Sequence, residues 1–396
     1  MLEKLPKIIK LQLLAAACNS AGGILKLFLP RFFYEVYNFD FTTIAWLMGA
    51  YGAGCIVGAY SSGVLSEYLN AQWIAGSSLL CSGVLSAAFS LAPPLTVLLL
   101  IVPLVGVFDG AFRPVNLRLI TDASSRELKL HVQGLHRVVF NLGIAAAGLI
   151  VGTLVSFGYE YVFLFQGALN VCGSLFLLSY AYKYAGLLWG YTKGATTESP
   201  QEIPAPVCSP WRDTLFLIFI FGQLLALGIF DQMYGTFGVF LREHSNAGPE
   251  WIAYLFSMNA VLVVILQMPV TRLINRHGMV AAARIGIVLL GGAFLLLNAG
   301  DHIGWAVLTT LVITAAELLL IPVWTLVVLA RAESRQKGKY LGIFTAAWLG
   351  HSLYGPSVGM WIYGAYGGST LWWMCACVGV VVFVLHYSTV VRLGRG

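Results

Sequence analysis

The sequence predicts an all-α membrane protein of twelve transmembrane helices, arranged as two six-helix bundles, and three observations predict it. Of 396 residues, 59% are hydrophobic and only 10% are Asp, Glu, Lys or Arg, against about 25% charged residues in soluble domains. Such a chain cannot cover a water-facing surface, and the same composition excludes intrinsic disorder. The apolar residues gather into twelve runs, each long enough at roughly 20 residues to cross a hydrocarbon core of ~30 Å. Finally, the second six runs repeat landmarks of the first six in nearly one register.

The runs cover residues 10–34, 43–68, 72–92, 95–118, 131–156 and 159–183, then 213–241, 249–274, 279–299, 303–330, 339–363 and 368–392. They do not alternate as barrel strands do, and in lipid every backbone group needs a partner, so helices are expected. Lys4, Lys7 and Lys10 resemble the start of a secretory signal, but the apolar run behind them reaches about Phe33. That exceeds the ~7–15 residues of a signal core, and no small-residue cleavage site follows, so a retained first span is expected. Residues 184–212 carry Thr196 to Glu202 and three further prolines and hold nothing that could form a core. They read as a cytoplasmic linker between an N-terminal bundle, 1–183, and a C-terminal bundle, 213–396.

Basic residues orient the spans. With the N-terminus in the cytoplasm, Arg118, Arg126, Lys129, Arg272, Arg276, Arg331, Arg335, Lys337 and Lys339 fall inside, whereas only Lys26, Arg31 and Arg242 fall at or near outer ends. Both termini are expected in the cytoplasm. The net charge of +6 is thereby read as orientation, and no nucleic-acid partner is expected. Six of the seven cysteines lie inside apolar runs, where thiols behave as small hydrophobes. Neither a metal nor a cofactor is expected, and the protein is expected to be a monomer in the lipid bilayer.

The repeat sits at a shift of 208 residues, which carries Ile44-Ala45-Trp46-Leu47 onto Ile252-Ala253-Tyr254-Leu255, Asp109 onto Glu317, Pro114 onto Pro322 and Gly134 onto Gly342. A shift of 207 carries Gly148 to Gly355 and Gly152 to Gly359. Both halves start on the cytoplasmic side, so the repeat is parallel about an axis along the membrane normal.

With these residues on the page, the chain resembles bacterial transporters of the major facilitator superfamily, of the drug- and metabolite-efflux kind. The segment from Gly63 to Gln72 keeps the glycine and the acid, Glu67, of that superfamily's loop between helices two and three, but not its later glycine or basic pair. The second copy, from Pro269 to Gly278 with Arg276, is closer to the pattern. Arg137 and Asn141, followed by Gly148 and Gly152, resemble the glycine-rich fifth-span motif common in exporters, with Leu149 where a proline is usual. Gly355-Pro356-Ser357-Val358-Gly359 in the eleventh span restores the proline. Glycines at this spacing clear one helix face, so that two helices approach closely and either slide or stay packed. Arg272 and Arg276 either pair with acids of the Glu67 type or anchor helix ends at the interface.

Ionisable groups at membrane depth cost at least ~2.5–3.5 kcal/mol each, so each needs a reason. Five stand out: Lys26 in the first span, Asp109 and Arg113 in the fourth, Asp231 in the seventh and Glu317 in the tenth. The resemblance implies that these four spans line a central cavity. At 1.5 Å per residue, Asp109 and Glu317 lie about 21 Å from the outer starts of their spans, and Lys26 and Asp231 about 24–27 Å from their cytoplasmic starts. The expectation is that Lys26 pairs with Asp231 when the outer mouth closes, and Arg113 with Glu317 when the inner mouth closes. Asp109 and Arg113, four residues apart, are alternatively a self-neutralising pair. Glu317 has no basic neighbour on its span and is the best candidate for a proton-binding carboxyl; the other role open to it is recognition of a cationic substrate. Asn19, Gln223, Gln232, Asn259, Gln267 and His351 are weaker polar signals that interhelical hydrogen bonding explains as well.

The chain contains no nucleotide-binding P-loop. The reading is therefore a proton-coupled secondary transporter for a small organic, zwitterionic or mixed-charge solute, with export favoured. Proton-driven uptake of such a metabolite or metal-chelating compound, or a non-transporting sensor on the same fold, is the alternative. An intramembrane enzyme is not expected: neither His-Glu-x-x-His nor Gly-x-Ser-x-Gly occurs.

Overall fold

A computed structural model describes residues 6–22, 25–124, 129–183, 210–331 and 337–393. Thirteen helices run through them: α1 Lys7–Gly22, α2 Leu25–Glu35, α3 Phe41–Tyr68, α4 Ala71–Ala88, α5 Leu95–Asp122, α6 Lys129–Leu154, α7 Tyr159–Lys183, α8 Thr214–Phe230, α9 Thr236–Ser245, α10 Glu250–His277, α11 Met279–Ala293, α12 Ile303–Arg331 and α13 Lys337–Leu393. Among the described residues, ten stretches are long and apolar enough to cross a membrane. The last of these, Gly342–Val390, leaves helical geometry at Gly367 (φ 82°, ψ 168°) and so holds two spans. The first span is described as α1 and α2, of 16 and 11 residues, on either side of residues 23–24. Counted this way, the expected twelve spans are present.

The seventh span departs from expectation. A continuous run over 213–241 was predicted, but α8 stops at Phe230, a 3₁₀ turn follows over Asp231–Met233, and α9 starts only at Thr236. The backbone N–H groups of Tyr234 and Gly235 both bond back to the Asp231 carbonyl, at 2.9 and 3.0 Å. This tight turn replaces the helical ladder locally. A side chain at Gly235 would press on Pro356 of α13, its Cβ 3.0 Å from the proline Cα, so glycine lets the restarted helix approach closely.

The chain forms two compact units. One contains residues 1–29, 50–202 and 249–261; the other contains residues 30–49, 203–248 and 262–396. In the first unit, α3 and α5 touch backbone to backbone. A Cβ on Gly54 would lie 2.2 Å from the Pro103 carbonyl oxygen, and one on Gly110 2.1 Å from that of Cys55. Gly58 and Gly106 complete two G-x-x-x-G faces packed against each other. In the second unit, Asp213 caps α8 by accepting the Phe216 N–H at 3.2 Å. It also takes Arg331 Nε at 2.7 Å and the Tyr340 hydroxyl at 2.9 Å, which ties the starts of α8 and α13 to the end of α12.

Arg31 and Arg242, two of the three basic residues expected at outer ends, belong to a network in this second unit. Arg31, 1% exposed, donates through Nε to Glu35 at 2.8 Å and through Nη2 to the Ala247 carbonyl at 2.7 Å. Arg242 Nε lies 3.2 Å from Glu35. Glu243 accepts the hydroxyls of Tyr34, at 2.6 Å, and Tyr363.

Candidate functional site

The membrane acids have separate surroundings. Asp109 is carried by α5, which the glycine contacts hold against α3, and this presents Tyr51 to it. The Tyr51 hydroxyl donates to Oδ2 at 2.9 Å, and the Ser82 hydroxyl of α4 donates to Oδ1. Asn170 of α7 donates in turn to Ser82 Oγ at 3.2 Å. Arg113, one turn further along α5, is exposed, and its guanidinium lies over the Phe140 ring, 5.0 Å from the centroid. Among the described residues, no ion pair joins Asp109 to Arg113, and the carboxylate relies on two hydroxyls instead.

A second polar chain runs through the same unit. Gln12 donates to Gln72 Oε1 at 2.6 Å, and Asn116 donates to Gln12 Oε1 at 2.6 Å. His136 Nε2 meets Asn116 Oδ1 at 3.2 Å. The buried amides satisfy one another across α1, α4 and α5, as a buried polar group must.

In the second unit, Asp231 occupies the turn that interrupts the seventh span and is 1% exposed. Its Oδ2 meets His351 Nδ1 on α13. Gly355 makes room for it: a Cβ there would lie 2.5 Å from the Asp231 Cβ. Gly359 does the same for Gln232, whose amide donates to the carbonyls of Gly228, at 2.9 Å, and Gly355, at 3.0 Å. Thr236 Oγ1 closes this group on Gln232 Oε1 at 3.0 Å. Glu317 lies half-buried on α12, and Lys26 half-buried on α2.

The glycine motif of α6 is used similarly. A Cβ on Gly148 would lie 2.0 Å from Ser257 Oγ, which itself bonds the Ala145 carbonyl at 3.0 Å. Gly152 receives the Tyr254 ring. These glycines therefore seat particular side chains of α10. Asn141 donates to the Arg137 carbonyl on its own helix at 3.0 Å. Arg276 is exposed at the end of α10, and the side chain of Glu67 lies outside the described residues.

The structure thus brings the turn from Asp231 to Gly235 together with Gly355, Pro356 and Gly359 of α13. It adds Tyr51, Ser82 and Asn170 around Asp109, which carry no sequence signal as site residues, and it gives Asp231 a partner in His351, a weak polar signal in the sequence.

Twelve apolar spans with acids and amides buried at membrane depth define a multi-pass α-helical membrane protein built around polar side chains. The Major Facilitator Superfamily profile matches residues 13–350, and the chain belongs to that family of transporters. The uncharacterized MFS-type transporter YqjV of Bacillus subtilis (strain 168) is 21% identical over 287 residues, covering 70% of this chain and 66%, just under two thirds, of that relative's own length. The fold is similar to that of a POT family transporter crystallised in complex with 5-aminolevulinic acid, with a TM-score of 0.79 and 12% identity over 98% of this chain and 97% of that one. It is also similar to that of the nucleoside transporter NupG, with a TM-score of 0.75 and 14% identity over 99% and 100% of the two chains.

Proposed function

We propose that this protein is a proton-coupled secondary active transporter that moves a small organic solute, zwitterionic or of mixed charge, across the bacterial inner membrane. Transport proceeds by alternating access of the 1–183 and 213–396 halves, both termini are cytoplasmic, and export is the favoured direction. The observation that carries this reading is Asp231, a 1% exposed carboxyl in a membrane span, set in a helix break and joined to an imidazole. An acid kept at such depth is costly unless it handles ions, protons or a charged substrate. Broken spans are a recurrent way for transporters to build such sites. Asp109 and Glu317 supply further negative charge, and Arg113 and Lys26 positive charge, for a solute that bears both signs.

The test is flux in proteoliposomes containing a pH-sensitive dye, with an imposed proton gradient. The first probe is 5-aminolevulinic acid, a small zwitterion bound by a structural relative, followed by other amino-acid derivatives. Solute movement that stops when the gradient is collapsed is the expected result. Binding without any flux would turn the reading to a sensor on the same fold. Exchanging Arg113→Glu and Glu317→Arg together is expected to restore transport lost in either single variant.

A further inference from the structure

A shallow surface groove runs between α11 and the part of α13 that follows Gly367. Arg284, Phe383, His386 and Tyr387 line it, together with apolar residues of α11. We infer that this groove binds the headgroup of an anionic phospholipid. Its assignment to the cytoplasmic leaflet rests on the orientation proposed above; the binding itself does not.

Arg284 is exposed on α11, five residues and about 7.5 Å beyond the start of that helix. A guanidinium this near a helix end reaches to the headgroup level, where the anions are lipid phosphates. Among the described residues no carboxylate lies within ion-pair distance of it. Its flat face is covered by the Tyr387 ring, 4.4 Å from the centroid. Stacking of this kind occupies the face and leaves the in-plane N–H donors open, the geometry that suits a phosphate. The site is positive beyond this one residue. Arg276 and His277 end the preceding helix, and Gly278 starts α11 without a side-chain cap, so the first N–H groups of α11 add to the attraction for an anion.

The rest of the groove suits the remainder of a lipid. His386 is 1% exposed and holds the Phe219 carbonyl through Nε2 at 3.3 Å, while its Nδ1 has no partner. It is an unsatisfied acceptor just beneath an otherwise apolar lining. Ile285 and Val288, 55% and 63% exposed on α11, give acyl chains a surface to follow. A free phosphate would gain nothing from that apolar stripe, whereas a phospholipid is held at both ends.

Native mass spectrometry of the detergent-purified full chain tests this, with phosphatidylglycerol and phosphatidylethanolamine titrated separately and inorganic phosphate as competitor. Phosphatidylglycerol is expected to bind about fivefold more tightly than phosphatidylethanolamine, as one basic residue near a membrane surface provides. Arg284→Ala should erase that preference, Arg284→Lys should keep part of it, and millimolar phosphate should not compete. Should Arg284→Ala fail to elute as a single species, Tyr387→Leu takes its place and should reduce the preference about twofold. Equal affinity for the two lipids, an unchanged preference in these variants, or full competition by phosphate overturns the inference. Absence of solute flux in the wild type would overturn the transport reading alone.

Discussion

Gly359→Ala tests whether the eleventh-span glycines hold side chains of the seventh span in place. The added Cβ would fall 1.9 Å from Gln232 Oε1 and 2.6 Å from its Cδ. Gln232 is 4% exposed and cannot swing into solvent. Three hydrogen bonds fix it, to Gly228, Gly355 and Thr236. Each has a net worth of about 1 kcal/mol, so displacing the amide costs about 3 kcal/mol. Replacing glycine by alanine in a helix returns about 0.5–1 kcal/mol, which leaves a net loss of about 2 kcal/mol. Gly292→Ala on α11 is the control: nothing lies within 4 Å of its Cβ, so it should be neutral or slightly stabilising. The assay is the thermal midpoint followed by tryptophan fluorescence in detergent, at one scan rate. Gln232→Ala removes the obstacle, so Gly359→Ala in that background should cost nothing further, a coupling of about 2 kcal/mol. Strict additivity, or a Gly359→Ala as harmless as Gly292→Ala, would refute the seat.

Three further outcomes are expected. Burial pushes the Asp213 carboxyl up, but Arg331, the Phe216 N–H and Tyr340 outweigh it and hold the group below the usual carboxylate range. A carboxyl depressed in the folded state stabilises fully above its unfolded value of about 3.9 and loses that contribution as pH falls through the folded value. Asp213→Asn should therefore lower the thermal midpoint at pH 7, and the gap to wild type should narrow below about pH 4. Glu35→Gln leaves the buried Arg31 guanidinium without its anion and should cost about 3 kcal/mol in the same assay; an unchanged midpoint would show the network to be ornamental. His351→Leu removes the partner of the buried Asp231 carboxyl and should lower the thermal midpoint by about 1–3 kcal/mol equivalent, whereas His351→Gln, which keeps a donor, should lose less; equal midpoints would show that the contact does not hold the turn.

The twelve spans are legible because they are matters of length and apolar composition, which the chain states directly. The break at Asp231 is not legible in the same way. The apolar run continues through it, and hydropathy reports what surrounds a backbone, not its dihedral angles. The local signal is there in Asp231-Gln232 followed by Gly235, polar groups and a glycine within one turn. Gly54, Gly58, Gly106 and Gly110 carry the same four-residue spacing as the recognised motifs, yet which glycine faces meet is decided by helix pairing between separate spans. The direction of Asp109 has the same origin. Its height in the membrane follows from counting along α5, but its rotation toward Tyr51 and Ser82 depends on how α3 and α4 pack against that helix. His351 lies 120 residues from Asp231, and no periodicity within one helix connects them.

Asp109 and Asp231 have chemically different companions. Asp109 is surrounded by hydroxyls of Tyr51 and Ser82 and by the amide of Asn170 beyond them. These neutral groups offer the carboxyl hydrogen bonds and no ion-pair partner. Asp231 instead faces the His351 imidazole, a ring with a polar nitrogen on each side. The backbone around Asp231 is a turn instead of continuous helix, and Gly355 leaves no side chain between it and α13. In the proposed transporter, a rearrangement at Asp231 would reach the joint between α8 and α9 and, through His351, α13, whereas Asp109 sits on a continuous helix.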